Sequence, residues 1–182
     1  MYGCMHGWMM VCMGDRTHGV RLDRLEWFFY SLRMELVNIY EGKLYVSGVI
    51  DDWNSVREHE IDTIVDLDGD IDHGVPEDPN RILYVYFPMR DETALPNQEK
   101  LHALSTMVAR LVETDHRVLV HCMWGLNRSC LVAGTVLTHL GMEGARAVEH
   151  LQQINSSALY NPVFETFLRG LPARPEPPPK SR

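Results

Sequence analysis

VLVHCMWGLNRSCLVAGTVL, residues 118–137, is the stretch from which the rest of the chain is read. It opens on Val118, Leu119 and Val120, an unbroken apolar run of the kind found in a strand buried on both faces. It closes on Leu131, Val132, Ala133, Val136, Leu137 and Leu140, which leave almost no polar face between Ser129 and Leu140 and predict a fully buried helix. Between strand and helix lies a short loop, His121 to Arg128, with a single glycine. A loop entering a helix N-terminus presents backbone N–H groups that bind anions.

The residues of that loop suit phosphoryl chemistry. Gly125 permits a backbone conformation that a side chain opposes. Arg128 offers a planar fork to two phosphoryl oxygens. The same positive field stabilises a thiolate on Cys122, placed to attack phosphorus in line. Charge growing on the equatorial oxygens then meets the amides of Met123, Trp124, Gly125, Leu126 and Asn127 and the Arg128 side chain. Ser129 is expected to donate a hydrogen bond to the cysteine sulfur, and His121 to order the loop rather than act as a base.

Outward from the loop, the pattern alternates. Leu36 to Tyr40 and Leu44 to Val46 predict two strands around a Glu41-Gly42 turn. A short helix from Trp53 to Glu58 precedes a strand over Ile61 to Leu67. A Gly/Asp/Pro-rich loop runs from Asp68 to Asn80, before a strand over Ile82 to Phe87. Asn97 caps a helix whose apolar face is Leu101, Leu104, Val108, Leu111 and Val112. Two more helices follow, Glu143 to Ile154 and Pro162 to Leu168. This order reads as an α/β sandwich around a central sheet.

The chain has 182 residues, enough for one domain with short extensions, and a formal net charge of −8. Such acidity disfavours general nucleic-acid binding and docking on an anionic membrane surface, while leaving a locally electropositive phosphate loop possible. The cysteines Cys4, Cys12, Cys122 and Cys130 form no disulfide framework, and the first fifteen residues do not read as a signal peptide. A reducing cytoplasm is the expected location. Cys4, His6, Cys12 and His18 match no usual zinc spacing and read as part of a leader. Val20 to Leu32 predicts an amphipathic helix. The domain is expected at residues 34–170, between an N-terminal extension (1–33) and a Pro-rich tail (171–182). The tail's Pro172 to Pro175 resembles a weak ligand for an SH3-like partner, though a solvated tail is the plainer reading.

The pattern His-Cys-x-x-Gly-x-x-Arg-Ser at 121–129 resembles the cysteine-based protein tyrosine phosphatase superfamily, and within it the small dual-specificity branch, over about Glu35 to Leu168. The resemblance implies a mixed, largely parallel sheet flanked by helices. It also implies a general acid on the loop before the long helix, where Asp91 is the choice and Glu92 the runner-up. No cofactor or metal is required by that mechanism. Asn161 is read as structural, seating the loop. Asp66, Asp68, Asp70 and Asp72 are read as capping and solvated residues rather than metal ligands, and Cys130 as packed in the core rather than a redox partner of Cys122.

The implied substrates are phosphoproteins bearing phospho-Tyr and phospho-Ser/Thr. The uncharged Met123, Trp124, Leu126 and Asn127 argue against a phosphoinositide headgroup. Trp124 is placed either against a substrate ring or beneath the loop. A phospho-binding module without turnover is the competing class. An arsenate reductase or sulfurtransferase is disfavoured by Asp91 and His121.

Overall fold

Val118–His121 (β5) lies at the centre of a five-stranded sheet of order β1-β2-β5-β3-β4. The computed structural model describes residues 35–174. The expected helix at Val20 to Leu32, the group Cys4, His6, Cys12 and His18, and the tail from residue 175 fall outside the described residues. The other strands are Val37–Tyr40 (β1), Leu44–Ser47 (β2), Thr63–Asp66 (β3) and Leu83–Tyr86 (β4). β1 and β2 are antiparallel, joined at Glu41 and Gly42, both with positive φ. β2, β5, β3 and β4 run parallel. The sheet is therefore mixed and largely parallel, as expected.

Alternation along each strand divides the core in two. Leu44, Val46, Val65, Val118 and Val120 face the larger cluster. Tyr45, Ile64 and Leu119 face a smaller one, closed by Trp53, Val56 and Ile61 around the short helix Asn54–Glu58 (α1). The larger face is covered by Gln98–Glu113 (α2), Arg128–His139 (α3), Gly144–Ile154 (α4) and Pro162–Arg169 (α5). Every residue of α3 is buried, as its all-round apolar pattern predicts. Asn97 caps α2 by accepting from the Lys100 N–H. The packed chain continues past the expected end at residue 170. Gly144 N donates to Leu171 O, and Arg174 N donates to Thr138 O.

Parallel pairing aligns the strand ends. Ser47, Asp66 and His121 are register partners at the carboxyl edge. The loop leaving β5 thus opens where parallel sheets bind ligands.

The far end of α3 holds a pH-sensitive pair. His139 is 8% exposed. Its Nδ1 lies 3.0 Å from Thr106 Oγ1 and its Nε2 lies 3.4 Å from His102 Nδ1. Burial chiefly, then Arg174 and His102, push the His139 pKa down from 6.5 to about 4. Between those values the unfolded chain takes up a proton that the folded chain refuses. Stability should therefore fall as pH drops from 6.5 toward 4 and level off below. The expected loss is about 1–2 kcal/mol, allowing for solvent screening near the helix end. Chemical denaturation across this range should show the slope, and His139→Gln should flatten it.

Candidate active site

β5 ends at His121, and the chain passes through Cys122–Asn127 into α3. The loop lies against the end of β2. Cys122 N donates to Ser47 O and Val49 N to Met123 O, both at 3.4 Å. Gly125 has φ +70°, and a Cβ there would come within 2.7 Å of the Ser47 carbonyl carbon and 2.8 Å of Gly48 N. Both facts require glycine.

The loop carbonyls are engaged at its periphery. Met123 O accepts from Val49 N, Leu126 O from Leu159 N, Asn127 O from Leu131 N, and Gly125 O from the Cys130 thiol. A planar trans peptide points each following N–H away from the carbonyl before it.

Cys122 is 2% exposed at the base of the loop, with Sγ 3.5 Å from Ser129 Oγ. Arg128 is 8% exposed. Its Nη1 donates to Leu67 O (3.0 Å), Met89 O (3.0 Å) and Asp68 Oδ1 (3.1 Å). Among the described residues its buried Nε has no hydrogen-bond partner. A buried guanidinium N–H left without an acceptor is costly unless a ligand oxygen supplies one.

Asp91 follows β4 and reaches the same place. Its Oδ2 accepts from Asn127 Nδ2 (2.8 Å) and its Oδ1 from Asn161 Nδ2 (2.9 Å). Asn161 also donates to Glu92 O, while its Oδ1 caps α5 by accepting from Val163 N. Asn127 Oδ1 in turn accepts from Asn161 N. Two asparagines, one from the loop and one from the start of α5, therefore clamp the carboxyl. The Glu92 side chain instead pairs with Arg90 at 3.3 Å, in the open. Of the two carboxyls, Asp91 is the one tied to the loop through Asn127.

Asp91, Glu92, Met123, Trp124, Arg128 and Tyr160 line one open cleft of about 450 Å³. Trp124 is 42% exposed on this rim. Tyr160 stands on the same rim and carried no signal in the sequence beyond an aromatic near Asn161. Cys130 is buried, and burial first, then the neighbouring Cys122, pushes its thiol up to about 12, which suits a packing residue.

The acidic cluster departs from the expected solvated face. Only Asp70 is exposed; Asp66 is fully buried and Asp72 nearly so. Asp66 does cap, accepting from Asp68 N. Asp68 braces Arg128, a role no local pattern announces.

The chain matches the family model "Dual specificity phosphatase, catalytic domain" over residues 44–171. No curated protein sequence matches it. Its fold resembles those of several solved structures. Human DUSP28 is 20% identical, with a TM-score of 0.62 over 74% of this chain and 90% of that one. The Yvh1 phosphatase domain from Chaetomium thermophilum is 21% identical, with a TM-score of 0.59 over 74% and 94%. OH1 from the Orf virus is described as a tyrosine phosphatase with triple substrate specificity. It is 21% identical, with a TM-score of 0.55 over 79% and 96%. Among the described residues, no helix is long and apolar enough to cross a membrane.

Proposed function

The chain belongs to the dual-specificity phosphatase family, and we propose that it hydrolyses phosphate monoesters of proteins through a phosphocysteine at Cys122. The observation that carries this reading is the clamp on Asp91. The loop that holds the nucleophile also holds the acid, through Asn127. A pocket that only bound phosphate would gain nothing from tying a carboxyl to its rim.

In the first step the Cys122 sulfur forms a bond to phosphorus as the phosphorus–oxygen bond to the leaving group breaks. Protonated Asp91 gives its proton to the departing oxygen. Arg128 Nε and the loop amides take the charge on the equatorial oxygens. In the second step the Asp91 carboxylate accepts a proton from water as that water attacks phosphorus. The sulfur–phosphorus bond breaks and inorganic phosphate leaves. Ser129, whose Oγ accepts from the Cys122 thiol at 3.5 Å, turns its hydroxyl proton to the departing thiolate in this reading.

The open cleft and its rim of Met123, Trp124 and Tyr160 favour phosphorylated side chains of proteins. Among the described residues lining the cleft, Arg128 is the one cationic side chain, without the added lysines a polyphosphorylated headgroup attracts. Both phospho-Tyr and phospho-Ser/Thr fit this reading, in the cytoplasm.

The direct test is hydrolysis of an aryl phosphate in EDTA. Wild type should turn over, and inactivity would remove the enzymatic reading in favour of a binding module. Asp91→Asn should lower kcat by about 10²–10³-fold with little change in KM, since it removes a proton needed only in the transition state. An unchanged kcat would strip Asp91 of its role. Phosphopeptides should be cleaved in preference to phosphoinositides in a paired panel.

A further inference from the structure

We propose that Asp66, Asp72 and His121 form a binding site for a divalent transition-metal cation, with Zn²⁺ or Mn²⁺ the fitting class, directly behind the phosphate loop. The site lies where β3, β5 and the β3–β4 loop meet. Asp66 ends β3, His121 ends β5, and Asp72 comes in from the loop between β3 and β4.

The argument is an inventory of protons. Tyr84 Oη lies 2.5 Å from Asp66 Oδ2 and 3.1 Å from Asp72 Oδ2, and it accepts from Asp72 N at 3.1 Å. A phenol has one proton to give, and the shorter contact is to Asp66. Asp66 Oδ1 accepts from Asp68 N and has a second lone pair. Asp72 Oδ2 is left to His121.

His121 does not satisfy it by a hydrogen bond. Its ring is 1% exposed. Nε2 lies 2.9 Å from Asp72 Oδ2 and 3.7 Å from Asp66 Oδ1. Yet, among the described residues, neither buried ring nitrogen makes a hydrogen bond. A buried imidazole and two carboxylates thus bring one ligand atom each within 4.8 Å of one another. That is an expensive arrangement for a proton network and an ordinary one for a cation. Tetrahedral zinc with nitrogen and oxygen ligands holds its donors about 3.4 Å apart, a spacing that 2.9 and 3.7 Å straddle. One imidazole and two carboxylates also exclude the softer copper(I), which prefers sulfur.

The cation would fasten Asp72, and with it the β3–β4 loop, to the strand that carries Cys122. The same loop supplies Asp68 to Arg128. Its role is structural support of the phosphate loop from behind. It takes no part in turnover, so chelated protein below its unfolding temperature keeps aryl phosphatase activity if the preceding reading holds.

The experiment uses the full chain, stripped with chelator and titrated with Zn²⁺ by calorimetry and thermal unfolding. The site should raise the unfolding midpoint by about 5–10 °C at a hundredfold excess over Kd. Asp72→Asn should lose that rise, and Cys122→Ser should keep it. Co²⁺ in place of Zn²⁺ reads the ligands in wild type without relying on any variant. Visible d–d bands with no thiolate-to-cobalt charge transfer are expected. Absence of binding, a rise that survives in Asp72→Asn, a rise lost in Cys122→Ser, or a strong thiolate band would each overturn the proposal.

Discussion

A Cys122→Ser protein should fold, bind oxyanions and turn over aryl phosphate about four to six orders of magnitude more slowly than wild type. The side chains differ by one atom, and the site is 2% exposed, so packing changes little. What is lost is the nucleophile. A serine hydroxyl attacks phosphorus only when a base removes its proton. The neighbouring imidazole cannot serve. His121 is buried, with Nε2 directed at the Asp72 and Asp66 carboxylates. Asp91 is held at the cleft rim by Asn127 and Asn161, where it meets the leaving group. The oxyanion donors of the loop and Arg128 stay in place, so a tungstate or phosphopeptide should bind with affinity within a few-fold of wild type. Single-turnover assays and isothermal titration check both halves. Retention of even a hundredth of wild-type kcat would mean that the chemistry does not pass through sulfur.

The elements that set the fold were legible because each carries a local signal. β5 declares itself by three consecutive apolar residues, and α3 by apolar residues on every side. Both patterns follow from being packed on all faces, whatever the neighbours are. Asn97 was readable as a cap because a cap acts within its own first turn. The site was legible where it is one continuous segment, from His121 to Ser129.

Outside that segment Asp91 and Asn161 stood out, but the contacts that fix the site did not. Asn161 carries no mark of clamping Asp91, because the two meet only when α5 docks on the domain. Asp68 looks like any acid in a polar loop until β3 and α3 bring it to Arg128. Asp66 and Asp72 read as solvated for the same reason. Their burial depends on Tyr84 and His121 arriving from two other strands. Polar contacts across the sheet leave no period in the sequence, whereas apolar faces do.

Arg128→Lys should lower kcat/KM for aryl phosphate by about 10³-fold or more, although the charge is kept. The reason lies behind the side chain. Nη1 already serves three acceptors, Leu67 O, Met89 O and Asp68 Oδ1, while Nε remains without a partner. The guanidinium does two jobs at once because its donors are spread over a rigid plane. One edge is anchored to the domain and another is offered to the phosphoryl group. An ammonium has its donors on one atom. If the substituted lysine reaches the two carbonyls, it gives the phosphate little. If it turns to the phosphate, the Met89 carbonyl loses its donor, at roughly 1–3 kcal/mol, while Leu67 O keeps only the Met89 N–H. Either outcome lowers transition-state stabilisation, and a 10³-fold loss corresponds to about 4 kcal/mol. The second also lowers thermal stability, so a joint measurement of kcat/KM and unfolding midpoint tells the two apart. Tungstate affinity should fall with kcat/KM in both, because the oxyanion mimics the charge that the fork meets. A lysine variant with near wild-type kcat/KM would show that charge alone suffices, and that the planar anchor built by Leu67, Met89 and Asp68 has no part in catalysis.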